Sequence, residues 1–219
     1  MRHTLLAPLL SKRSVVLFGA MLLALALIAL AIGTSAKQAD AATTLVTRAF
    51  HNTNQITIPA STQSSASLPY PSIISPTFPR GTKVRDVNVT LRNYTHTWPD
   101  DVDVLLVHAG TNRTIMSDVG GSLDVNNITI RLDDEASNGL LPDSGQLTAG
   151  AFQPTNAAPA DTFAFPAPDP ASANTSLAGF DTLNARGAWK LFVVDEVPSA
   201  DSGKFAGGWT VTIRAAVPQ

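Results

Sequence analysis

Aspartates are the residues whose type and spacing point most directly to chemistry. Asp100, Asp101 and Asp103 fall within four positions, with Val102 and Val104 interleaved. Asp118 stands two residues before the Gly120-Gly121 pair, and Asp195 and Asp201 lie close together near the C-terminus. Calcium takes about six to eight oxygens from carboxylates, carbonyls and water. In an extended segment Asp101 and Asp103 point to one face, opposite Val102 and Val104. Asp118 would approach from a neighbouring loop, Asp195 from the end of a later strand, and Asp201 from the start of the following hairpin. Asp101, Asp103, Asp118, Asp195 and Asp201 are therefore candidate ligands of one structural calcium ion. The same aspartates also suit turns and caps, where the side chain bonds a nearby backbone amide. The spacing leaves both uses open.

Other polar groups point less sharply. His96, beside Thr97 and Trp98, reads as a turn residue packed on an aromatic ring, with a functional role as the alternative. Asp133-Asp134-Glu135 reads as a solvated loop, or as a second cation site. Asn88, Asn93, Asn112, Asn127 and Asn174 each begin an Asn-x-Ser/Thr triplet, which matters only in a glycosylating host. Nucleophilic catalysis needs a base held against a nucleophile by a third group. Beyond the N-terminal segment the histidines are His51, His96 and His108, none in a recognisable catalytic block, so a non-enzyme is expected.

The elements that must position these groups alternate with period two. Val87, Val89 and Leu91 alternate with polar residues, as do Ile128, Ile130 and Leu132, and Trp209, Val211 and Ile213. Such alternation predicts strands with one face on a core. Leu105-Leu106-Val107 and Leu191–Val194 are apolar on both faces and are expected as central strands. Pro79-Arg80-Gly81, Asn138-Gly139, Pro142-Asp143-Ser144-Gly145 and Asp201-Ser202-Gly203 punctuate these runs as turns. Short strands with turns between them predict an all-β fold, an antiparallel β-sandwich of jelly-roll type. Residues 154–176, rich in Pro, Ala and Asp, are expected as a long surface loop.

Residues 1–41 read as targeting sequence. Arg2, Lys12 and Arg13 precede an uncharged apolar run from Val15 to Ile32, followed by small residues including Ala39-Asp40-Ala41. This is the layout of a secretory signal. The run is also long enough to remain as a membrane anchor, since about 18 apolar residues can span a bilayer. Either way the remainder is expected to be secreted or at the cell surface. Residues 42–49 read as a linker or first strand, 50–214 as the domain, and 215–219 as a tail. The absence of cysteine excludes disulfides and thiolate chemistry. Residues 1–41 hold four of the 15 basic residues and one of the 17 acidic ones, leaving eleven against sixteen, a formal net charge of −5. A domain with that balance and no basic stripe is a poor nucleic-acid binder.

Four blocks carry a family resemblance. The first is His96-Thr97-Trp98-Pro99-Asp100-Asp101-Val102-Asp103 with the strand residues on either side, and the second is Met116-Ser117-Asp118-Val119-Gly120-Gly121. The third is Gly187-Ala188-Trp189-Lys190-Leu191 and its continuation to Asp195, and the fourth Asp201-Ser202-Gly203 through Gly208-Trp209. In this order they resemble the P domain (Homo B domain) of subtilisin-like proprotein convertases, in its bacterial exported form, over roughly residues 50–214. The resemblance implies a jelly-roll sandwich beside a subtilisin-like serine endopeptidase, which it helps to fold and, in some members, makes responsive to calcium and pH. No serine here sits in a subtilisin-like Gly-Thr-Ser-Met-Ala setting.

The function expected is thus a non-catalytic P-domain-like module that binds or stabilises a partner protein, with calcium as its one candidate cofactor. A subtilisin-like protease is the partner implied. The alternatives are the accessory portion of a serine endopeptidase, acting in proteolysis, and a carbohydrate-binding jelly roll. Sugar binding would need an exposed aromatic platform, for which Tyr94 and Trp98 are the close pair.

Overall fold

The computed structural model describes residues 42–219, apart from 62, 159, 170–173, 198 and 199. The targeting segment expected at 1–41 lies outside the described residues. Among those described, no helix is long and apolar enough to cross a membrane.

Thirteen strands form two sheets among the described residues. The first sheet uses β1 (Thr43–Asn52), β2 (Ile56–Ile58), β5 (Lys83–His96), β8 (Val125–Leu132), β9 (Gly150–Phe152), β12 (Gly203–Phe205) and β13 (Trp209–Pro218). The second uses β3 (Ser65–Ala66), β4 (Ser72–Ile74), β6 (Val102–His108), β7 (Thr111–Ser117), β10 (Thr155–Asn156) and β11 (Trp189–Asp195). Pairing is antiparallel except for β8 with β9 and β7 with β10. The result is the all-β sandwich that the alternation predicts.

The long β5 organises the first sheet. One edge pairs with β13 and then β12, the other with β8. In the second sheet β6 and β11 pair along their full length, Trp189 opposite His108 and Asp195 opposite Val102. Between the sheets, Val102, Val104 and Leu106 of β6 and Trp189, Leu191 and Val193 of β11 meet Val87, Val89, Leu91 and Tyr94 of β5 and Trp209, Val211 and Ile213 of β13. Trp189 and Trp209 are fully buried, one from each sheet. Each removes on the order of 200 Å² from water. Trp209 also donates from Nε1 to Ser72 Oγ at 3.0 Å, so its one polar atom is satisfied.

The doubly apolar strands are central, as expected, and a second small cluster explains their other face. Leu105, Phe192 and Val194 point away from the main core and are covered by Phe163, with Tyr70, Val107 and Ala167 around them. This corrects the expectation that 154–176 is only a surface loop. Its start is strand β10, and Phe163 is anchored in apolar packing. At the chain ends the first-strand alternative holds, and the expected tail does not. Thr43 pairs with Pro218 and Thr44 with Val217. Residues 43–49 lie in β1, and 215–218 are strand rather than tail, because the two ends of the domain hydrogen-bond to each other.

Candidate metal centre

Asp101 does not alternate with Asp103 along one strand. A 3-10 turn spans Pro99–Asp101, and β6 begins only at Val102. Within β6, alternation then sends Val102 and Val104 into the inter-sheet core, and Asp103 outward with Leu105. In β11 the parity is opposite in effect. Asp195 shares the inward face of Trp189, Leu191 and Val193. The five predicted ligands therefore separate onto two faces of the second sheet. Asp103 and Asp118 come together outside; Asp195 lies inside, with Asp101 as a neighbouring charge. Asp201 accepts a hydrogen bond from Thr97 Oγ1 at 2.8 Å.

The outer group gains a member that the sequence did not suggest. Carboxylate oxygens of Asp103, Asp118 and Asp161 all lie within 4.8 Å of one another. Asp161 arrives because β10 pairs in parallel with the end of β7, Asn156 opposite Ser117. The Ala157 amide then bonds Ser117 O, and Ala158 N–H bonds the Asp118 carboxylate. Asp118 itself has a left-handed backbone, φ 53°. It leads into Gly120, φ 94°, where a Cβ would stand 2.8 Å from Leu147 Cγ and 2.9 Å from Pro99 Cγ. Glycine is required there for the 118–121 turn to close against the Pro99–Asp101 turn.

Ser117 Oγ sits at the middle of the three carboxylates. It is 2.7 Å from Asp103 Oδ1, 2.7 Å from Asp118 Oδ2 and 2.8 Å from Asp161 Oδ1. A hydroxyl carries one proton and can donate once. Two of the three contacts must therefore oppose lone pairs unless protons or a cation intervene. Asp103 Oδ2 and Asn156 Oδ1 are buried without a partner among the described residues, while Asn156 Nδ2 donates to Asp161 Oδ2 at 2.7 Å. Burial, with Glu196, Asp161 and Asp118 nearby, pushes the Asp103 acid up to about 9 against the lowering effect of Ser117. Burial likewise raises Asp118 and Glu196. Oxygen ligands of Ca²⁺ lie about 2.3–2.6 Å from the ion, hence no more than roughly 5 Å apart. The three carboxylates meet that limit, and Asn156 Oδ1 is a further oxygen donor beside them.

The remaining polar groups settle into other roles. His96 is fully buried. Its ring lies 6.4 Å from that of Tyr94, and Nδ1 meets Trp98 O at 2.8 Å. Asp134 caps the 3-10 turn at Leu177–Phe180, accepting from Leu177 N, Ala178 N and Ser176 Oγ. Asp133 pairs with Arg131 at 2.7 Å. These contacts account for Asp133 and Asp134 without an ion. Tyr94 is wholly buried, so it cannot form an exposed aromatic platform with Trp98.

Comparison with family models, curated proteins and solved structures finds no match to this chain.

Proposed function

We propose that this chain is an exported, non-catalytic module of the P-domain type, stiffened by one calcium ion at Asp103, Asp118 and Asp161, that binds or stabilises a partner protein. The observation that carries the calcium is the convergence of three carboxylates on the single hydroxyl of Ser117. A divalent cation converts their repulsion into coordination.

The same segment supports the partner role. Asp161 is followed by buried Phe163 and then by Phe165, which is 95 % exposed. Tyr70 donates to Ala164 O at 2.9 Å, and Ala167 N closes a turn onto the same carbonyl. Phe165 thus stands at the tip of a tied turn. Rigidly held aromatics are the usual anchors of protein interfaces. A subtilisin-like protease is the partner that the P-domain resemblance implies.

The test mixes the full-length chain with a purified subtilisin-like catalytic domain and follows the half-life of proteolytic activity on heating. The expected result is a longer half-life in calcium than in EDTA, shortened again by Phe165→Ser. An unchanged half-life, or casein hydrolysis by the chain alone, contradicts the proposal.

A further inference from the structure

A cleft opens between two turns, the one at Arg80 and Gly81 that leads into β5 and the one at 184–187 that leads into β11. The two turns are fastened to each other. Ala185 N–H bonds Thr82 O at 3.0 Å, and Val84 N–H bonds Leu183 O at 2.9 Å. The buried His108 ring holds the second turn from inside, with Nε2 2.7 Å from Asn184 O and Nδ1 3.1 Å from Ala188 O. The cleft encloses about 460 Å³ and is lined by Arg80, Gly81, Asn184, Arg186 and Gly187. That volume lies in the range of small-molecule sites, about 300–1,000 Å³, and is more than a bare inorganic anion fills.

The chemistry of the cleft is one-sided. The guanidiniums of Arg80 and Arg186 have no hydrogen bond or ion pair among the described residues. Elsewhere in the domain guanidiniums are engaged: Arg48 with Thr77 O and the Phe78 ring, Arg92 with Thr210, Arg113 with Ser176 O and Arg131 with Asp133. Asn184 Oδ1 accepts from Arg186 N–H at 3.0 Å, which leaves Asn184 Nδ2 as a further free donor. Among the described residues no acidic and no apolar side chain lines the cleft. Each guanidinium presents a fork of donors that matches a carboxylate in two parallel hydrogen bonds. In a domain with more carboxylates than basic groups, two neighbouring arginines without a carboxylate partner leave room for one from outside.

We propose that this cleft binds an acidic sugar, a uronate-type unit whose carboxylate is held by Arg80 and Arg186 and whose hydroxyls meet Asn184 Nδ2 and the backbone of the two turns. A ligand of this volume carries a body as well as a charge. With no apolar side chain to pack on, that body must be polar throughout. A peptide interface instead centres on aromatic or aliphatic anchors. Ion pairing here replaces the aromatic platform that a neutral sugar would need. The site shares no residue with the calcium centre or with the Phe165 turn, so it does not depend on either.

The test titrates trigalacturonate into the full-length chain by calorimetry, in EDTA because carboxylated sugars themselves bind calcium. The expected result is one equivalent bound, with an affinity that falls as salt rises, and no binding of the neutral maltotriose. Arg80→Ala and Arg186→Ala should each weaken binding about tenfold. Neither should move the melting temperature, because both side chains are exposed and unpaired. Absence of binding, or binding that both arginine variants retain in full, would overturn the proposal. Triglutamate binding as tightly as trigalacturonate would also overturn it, by revealing a site for any carboxylate, acidic peptides included.

Discussion

Ser117 Oγ lies 2.7 Å from Asp103 Oδ1 on the outer face of β6, beneath the chain segment that delivers Asp161. That contact joins two neighbouring strands to a segment some forty residues further along. An ion bound there would tie the edge of the second sheet to the turn that carries Phe165.

Replacing Asp161 removes one ligand without touching the core. Asp161→Asn should abolish the thermal shift produced by calcium and change stability in EDTA little. Asp103→Asn should also abolish the calcium response, and should raise the melting temperature in EDTA at pH 8, because folding no longer has to take up a proton at this buried carboxyl. Differential scanning fluorimetry of the two variants with and without calcium checks both signs.

The metal-free protein should lose stability as pH rises. Asp103 is raised to about 9 and Asp118 and Glu196 are also raised, so the folded state holds these protons more tightly than the unfolded chain does. Their contribution is full below the unfolded carboxyl value of about 4 and is lost as pH climbs toward the folded values. Saturating calcium should flatten the decline by replacing the protons, and calcium affinity should increase across the same window. Urea unfolding at several pH values, in EDTA and in calcium, measures this.

Gly203 opens β12 against β5, opposite His96. A Cβ there would collide with Thr95 O and the His96 ring. Gly203→Ala should cost about 1–3 kcal/mol, read from urea unfolding, although it opens a strand of only three residues.

Phe163 covers Leu105, Phe192 and Val194 on the outer face. Phe163→Ala should destabilise by about 3–5 kcal/mol and also weaken calcium binding, since Asp161 is anchored two residues away. Calorimetric titration of the variant separates the two effects.

Much of this was legible in the sequence for a physical reason. Period-two alternation identifies β5, β8 and β13, and the doubly apolar runs identify β6 and β11, because burial on one or both faces writes directly into residue type. Asp103 and Asp118 were legible as candidate ligands from charge density beside a turn. Asp161 was not, because it sits alone among Pro and Ala, and its position depends on a two-residue parallel pairing between β10 and β7 that leaves no periodic trace. The apolar Phe163 and Phe165 within that stretch were its available signal. Asp101 and Asp195 were placed with Asp103 because chain proximity does not reveal which face of a sheet a residue takes; the 3-10 turn at Pro99–Asp101 decides that.

Thermal unfolding of the full-length chain in non-ionic detergent, in EDTA and then with calcium at about a hundredfold its dissociation constant, tests the calcium centre most directly. One ion bound to the native state at that concentration contributes about 2.7 kcal/mol, a rise on the order of 5–10 °C for a domain of this size. The rise should occur in the wild type and vanish in Asp161→Asn. An identical melting temperature in EDTA and calcium, or a rise that survives Asp161→Asn, would contradict a calcium ion at Asp103, Asp118 and Asp161.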